Sequence, residues 1–303
     1  PWYLPHPRST FETTNVSLAA LLGFMKPSML IRDIIRSFAL RDCQLMKYLI
    51  IALGLFPLGS LLAQQPDAGK LLFRASFDES PDADVAVGDR KIYTAESIAR
   101  NRIRAGLHTD AVEWKPSGGL RGGGALHFTN ATKQLVFFKG GKNVPYRKDN
   151  FEGTVSLWMR LSPQDLPKGF VDPLQITDKK WNDASFFVDF DQAASREFRL
   201  GAFADFKSWN PGNRKFEEIP VTERPMVSVK QAPFTADKWT HVKFRWAKLN
   251  RSEPGRVELH IDDKLQGAVE GEYFYTWKPE DVVIMLGINY VGWIDEVEIR
   301  GAN

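Results

Sequence analysis

The sequence predicts an all-β protein, a single antiparallel two-sheet β-sandwich. Three observations predict it. Short segments alternating apolar and polar residues at a period of two recur along the chain from about residue 70 onward. Aromatic side chains make up 12% of the residues, with 21 Phe and 9 Trp, a composition that suits strands better than a helical bundle. Helical periodicity is sparse, and the patterned region forms one block of roughly 230 residues with no repeat and no second domain. At 43% hydrophobic and 25% charged residues, such a block has the composition of a soluble domain able to bury its own core.

The chain opens on residues 1–45, which begin with Pro and contain other starts at Met25 and Met29; they are expected to be upstream sequence or the product of a mis-set start. Met46-Lys47 is followed by the apolar run YLIIALGLFPLGSLLA and then by Gln64-Gln65-Pro66-Asp67. A positive start, a short apolar stretch and a small residue before a polar segment predict a signal peptide over 46–63, cleaved near Ala63. The run is shorter than the ~20 residues a membrane-spanning helix needs. A short linker, 64–69, then leads to the sandwich, 70–303.

Within the sandwich, Lys70–Phe77 alternates Leu71, Phe73, Ala75 and Phe77 against Leu72, Arg74 and Ser76, and the Asp78-Glu79-Ser80-Pro81-Asp82 cluster ends it. Residues 82–119 read mainly as loop, with one or two helical turns at Glu96–Arg104. Strands follow at Ala125–Thr129, Gln134–Phe138, Gly153–Leu161, Ser185–Asp191 and Glu197–Ala204. The segment from Ala204 to Phe234, rich in Pro, Asn and charge, reads as loops on the rim. Trp239–Trp246 and Arg256–Ile261 are strands, the latter entering a turn at Asp262-Asp263. Val282–Leu286 and Trp293–Arg300 close the chain. In the last of these, Trp293, Val297 and Ile299 share one parity and Glu296, Glu298 and Arg300 the other, so Asp295 falls on the apolar row. A carboxylate there must be hydrogen-bonded, paired or bound to a cation.

Four of these segments carry a family resemblance. Gly292-Trp293-Ile294-Asp295-Glu296-Val297 resembles the closing strand of laminin-G-like, concanavalin A-like jelly rolls. Thr154-Val155-Ser156-Leu157-Trp158 resembles their middle strand, and Trp239-Thr240-His241-Val242 resembles their W-x-H-V strand. The Asp262-Asp263 hairpin departs from the family's Asp-Gly. The pieces run in family order, and the resemblance implies a concanavalin A-like jelly roll over nearly all of the region after the leader. It also implies a structural Ca²⁺ tying the first strand's end to the last strand, with Asp295 and Asp78 as ligands.

Charge and cysteine content exclude several classes. The chain has 40 Lys and Arg against 37 Asp and Glu, but residues 1–63 hold six basic and three acidic side chains, leaving 34 of each sign in the remainder. A balanced domain gives no reason to expect nucleic acid as a partner. The single cysteine, Cys43, precedes the expected cleavage site, so no disulfide framework, zinc cluster or cysteine nucleophile is expected in the exported form.

No catalytic residue is assigned. The glycosidases of the resembled family carry Glu-x-Asp-x-x-Glu on one strand face, and the nearest approach here is Asp189-Phe190-Asp191, with no third carboxylate in register. A lyase using His241 or His260 with Tyr273 or Tyr275 is weaker than the reading of these as ordinary strand histidines. Aromatic rings in polar loops are the expected sugar contacts: Trp181, Trp209, Tyr273, Tyr275 and Trp277. Trp158, Trp239, Trp246 and Trp293 lie in strands and are expected in the core. The expected function is non-catalytic binding of a glycan or another extracellular polymer by a secreted or periplasmic, bacterial domain, with no membrane partner once the leader is cleaved. A glycoside hydrolase or polysaccharide lyase of the same fold is the alternative, and a structural or adhesive protein-binding domain a third.

Overall fold

The computed structural model describes residues 69–302; the expected signal peptide at 46–63 lies outside the described residues. Seventeen strands follow one another there. The first seven are β1 (Lys70–Ala75), β2 (Val85–Ala86), β3 (Ile92–Ala95), β4 (Arg104–Ala105), β5 (Val112–Lys115), β6 (Ala125–Phe128) and β7 (Leu135–Lys139). The next five are β8 (Phe151–Arg160), β9 (Val171–Lys180), β10 (Asp183–Phe190), β11 (Phe198–Phe203) and β12 (Met226–Val229). The last five are β13 (Thr240–Leu249), β14 (Gly255–Ile261), β15 (Lys264–Gly271), β16 (Val283–Ile288) and β17 (Gly292–Gly301). No helix among the described residues is long and apolar enough to cross a membrane.

The strands form two antiparallel sheets. One runs β15-β14-β13-β8-β17-β1-β2, with β6 beside the start of β17 and β5 beside β6; the other runs β12-β11-β10-β9-β16-β7-β3-β4. Alternation places Val155, Leu157 and Met159 of β8 and Val242, Phe244 and Trp246 of β13 on the inner face, where they meet Phe186, Val188 and Ile176 from the second sheet. The first and last strands pair as expected, from Lys70 opposite Gly301 to Ala75 opposite Val297.

The structure corrects the parity read for β17. Glu296 has φ 46°, and the register with β8 slips between Asp295 and Glu298, a β-bulge. Before the bulge Ile294 points inward and Trp293 outward; after it Val297 and Ile299 point inward. Trp293 is therefore an outer-face residue, and Asp295 shares that face beneath the 118–124 loop. The helical turns expected at Glu96–Arg104 do not form: that stretch turns between β3 and β4. The Asp262-Asp263 hairpin takes positive φ at both positions, 48° and 61°, so β14 and β15 are joined by two residues without a glycine. Asp262 offsets that cost by accepting the His241 N–H at 3.0 Å and pairing with Lys238 at 2.7 Å.

Candidate functional site

The two sheets end in edge strands, β12 on one and β15 on the other, which meet where Val227 lies against Gly267, and a groove of about 510 Å³ opens beside that seam. Its walls include Trp209, Glu223, Arg224, Met226, Glu270 and Tyr273. The 205–225 segment builds one wall. A single helical turn, Phe206–Trp209, places the Trp209 ring edge-on to Phe203 at 4.8 Å, with its indole N–H donating to Asn182 O at 2.9 Å. Asn210 braces the following turn by accepting from Arg214 N and donating to Arg214 O. Tyr273 also lines the groove, its hydroxyl donating to Glu270 O at 3.3 Å, and burial pushes its phenol up to about 12.

The charges around the groove are ordered. Glu223 pairs with Arg214 at 2.6 Å and Glu270 with Arg256. Arg224 lies over the Phe216 ring at 4.3 Å and donates from Nε to Ile219 O at 2.9 Å. A groove with two aromatic walls and fixed charges can stack an apolar ring face and bind polar substituents on its rim.

Of the five aromatic residues predicted to contact sugar, Trp209 and Tyr273 line this groove. Trp181, 41% exposed, stands beside it, edge-on to Phe216 at 5.3 Å. Tyr275 and Trp277 belong to the core instead, at 2% and 3% exposure. The reason is local: 273, 275 and 277 share a parity, and Tyr275 and Trp277 turn fully inward, Tyr273 stays half-buried at the core's margin, and Phe274 and Thr276 face solvent. Tyr275 stacks on Phe186 at 4.7 Å, and Trp277 donates to Ala184 O.

The predicted metal residues meet at a different place, on the outer face of the first sheet. Asp295 Oδ2 accepts the Leu120 N–H at 2.6 Å and its Oδ1 the Glu296 N–H at 2.7 Å; Asp78 Oδ1 accepts the Gly124 N–H at 3.1 Å. The glycine loop is required by this closeness. A Cβ on Gly119 would lie 2.8 Å from Asp295 Oδ2, and one on Gly123 would lie 1.8 Å from Asp78 Oδ1. Asp295 is 1% exposed, and burial pushes its carboxyl up to about 7, against the pull of the two N–H donors and with help from the Glu296 and Asp78 charges. Oxygen donors alone, with a buried carboxylate whose charge is poorly compensated, suit a hard cation such as Ca²⁺. Among the described residues no three His, Cys, Asp or Glu side chains cluster, so a cation here would draw on two carboxylates and on backbone carbonyls of the loop.

Beside this cradle stands a stack the sequence reading placed in the core. Trp293 stacks on His127 at 4.0 Å, and the Arg160 guanidinium lies 4.7 Å from Trp293 and 4.9 Å from Trp239. Trp158 stacks on His241 at 4.8 Å. Of the four strand tryptophans only Trp246 is a core residue. The parity shift at the Glu296 bulge hid Trp293, and the pairing of His127 opposite Trp293 would have been its signal. Neither His241 nor His260 lines the groove; His260 meets Glu258 at 3.1 Å.

The Asp189 of the Asp189-Phe190-Asp191 pair is held by Arg199, with Nε donating to Oδ1 at 2.9 Å and a second bond from Nη2 to Oδ2. Burial still keeps Asp189 above the usual carboxylate range, and it lifts Asp172 further.

No protein-family model matches the chain. No curated protein matches it either. Among solved structures, the chain is similar to an endo-1,3-β-glucanase from Streptomyces sioyaensis, at 12% identity and a TM-score of 0.48, over 78% of this chain and 98% of that one. It is similar to the CBM40 of a Ruminococcus gnavus IT-sialidase bound to α2,3-sialyllactose, at 13% identity and a TM-score of 0.37, over 58% of this chain and 89% of that one. It is also similar to the binding domain of botulinum neurotoxin DC in complex with SialylT, at 10% identity and a TM-score of 0.46, over 78% of this chain and 48% of that one.

Proposed function

We infer that the sandwich binds carbohydrate without chemically altering it, with the glycan lying in the groove beside the β12–β15 seam against Trp209 and Tyr273. The observation that supports this reading is one groove lined by two aromatic rings, Trp209 and Tyr273, and by apolar side chains such as Val221 and Met226, with Thr222, Glu223, Arg224 and Glu270 as its polar groups. The protein acts outside the cytoplasm, delivered by the 46–63 leader, and Ca²⁺ held by Asp78 and Asp295 secures the loop over the last strand. Electrophoresis through gels with embedded polysaccharides tests the binding: the purified domain is retarded and leaves no cleared zone. Equal mobility in every polysaccharide gel and in the blank would reject it.

One observation favours a second reading, a glycoside hydrolase or lyase. Burial pushes the carboxyls of Asp172 and of the Arg199-paired Asp189 above the usual carboxylate range, as it does for many catalytic acids. Under that reading a cleared zone forms and disappears in Asp189→Asn.

A further inference from the structure

We propose that the groove beside the β12–β15 seam takes an acidic glycan, and that Arg224 reads its anionic group. This rests on the carbohydrate reading of the same groove and adds the class of sugar. Five charged side chains stand at the groove or pair with those that do. The two carboxylates in its lining are engaged: Glu223 by Arg214 at 2.6 Å and Glu270 by Arg256. Arg224 is held differently. Its Nε is tied to Ile219 O at 2.9 Å and its plane rests on Phe216 at 4.3 Å, while its two terminal nitrogens have no hydrogen-bond partner among the described residues.

That arrangement fixes the fork without using its outer edge. A guanidinium so held presents two parallel N–H donors, the geometry that matches a carboxylate or sulfate, and little rotamer entropy remains to be lost on binding. Arg224 thus supplies the unanswered charge in a groove whose acids are already neutralised. A neutral sugar would stack on Trp209 and Tyr273 and leave that charge unmatched; a uronic acid or a sulfated sugar would meet both. Bulk attraction cannot mimic this, because the 64–303 region carries 34 basic and 34 acidic residues.

The test compares apparent dissociation constants from affinity electrophoresis in gels containing polygalacturonate, dextran sulfate, unmodified dextran or laminarin. Wild type, Arg224→Gln, Arg224→Lys and Trp209→Ala are run side by side, with thermal melts to confirm that each is folded. The proposal expects at least tenfold tighter binding to polygalacturonate or dextran sulfate than to the neutral polymers, and whichever is tighter tells carboxylate from sulfate. It expects that preference to vanish in Arg224→Gln and to shrink in Arg224→Lys, which keeps the charge but not the fork. Trp209→Ala weakens binding to charged and neutral polymers alike. Equal retardation by neutral and acidic polymers, or a preference untouched in Arg224→Gln, overturns the acidic-glycan assignment and leaves the carbohydrate reading standing. No retardation in any gel overturns both.

Discussion

Asp78 and Asp295 grip the two ends of one glycine loop, Asp295 through the Leu120 N–H at 2.6 Å and Asp78 through the Gly124 N–H at 3.1 Å. The pairing of β1 with β17 brings them there, since Asp78 follows the first strand and Asp295 lies within the last. Added Ca²⁺ is expected to raise the melting midpoint, by about 2.7 kcal/mol in stability at a hundredfold excess over its dissociation constant. Chelator reverses the shift, and Asp295→Ala melts alike with and without the ion. A wild-type midpoint indifferent to both additions would remove the metal.

The loop itself makes a separate prediction. Any side chain at 123 collides with Asp78, so Gly123→Ala must displace either the carboxylate or the loop, at a cost of about 1–3 kcal/mol. Urea titration reads that loss, and the same variant gives no calcium response. An alanine tolerated at wild-type stability would show that the carboxylate does not sit against the loop.

Tyr275 separates a core role from a ligand role within one residue. Its hydroxyl is buried without a hydrogen-bond partner, while its ring stacks on Phe186. Tyr275→Phe should therefore leave stability unchanged or raise it, because an unsatisfied polar group is removed and the packing kept. Tyr275→Ala should cost about 3–5 kcal/mol. Denaturation midpoints distinguish these outcomes; a Phe variant as damaged as the Ala variant would mean that the hydroxyl has a partner in solution.

Arg160, between Trp239 and Trp293, also donates to Gly118 O at 3.2 Å and so ties the outer-face stack to the glycine loop. Arg160→Ala is expected to lose about 1–2 kcal/mol and to speed amide exchange at Leu120. Burial holds the neighbouring His127 below its usual imidazole range. With the folded form favouring neutral His127, stability falls as pH drops from about 6.5 through that lowered value, and His127→Gln flattens the profile there. Unchanged exchange at Leu120 in Arg160→Ala would detach the stack from the loop.

Much of the fold was legible because β8 and β13 repeat apolar residues at every second position, and because the end of β17 does the same after its bulge. The bulge was not legible: one extra residue at Glu296 leaves the composition of the strand intact while reversing the face of Trp293. β9 gave no alternating signal, since Pro173 interrupts a strand that lies at the centre of the second sheet. A register slip against β10 near that position lets the ladder accommodate it. At the site, Trp209 and Tyr273 were found by their polar settings, whereas Arg224 was not. Its significance depends on Phe216 and Ile219 folding back on it and on Arg214 engaging Glu223, and sequence order alone does not reveal that a neighbouring acid is already paired.

The carbohydrate reading is tested most directly by mobility in a polysaccharide gel, comparing wild type with Trp209→Ala, Tyr273→Ala and, as an outer-face control, Trp293→Ala. The groove account predicts that each of the first two weakens retention about tenfold, equivalent to ~1.4 kcal/mol, while the control keeps wild-type retention. Retention lost in the control and kept in both groove variants would place the glycan on the first sheet's outer face and contradict the account.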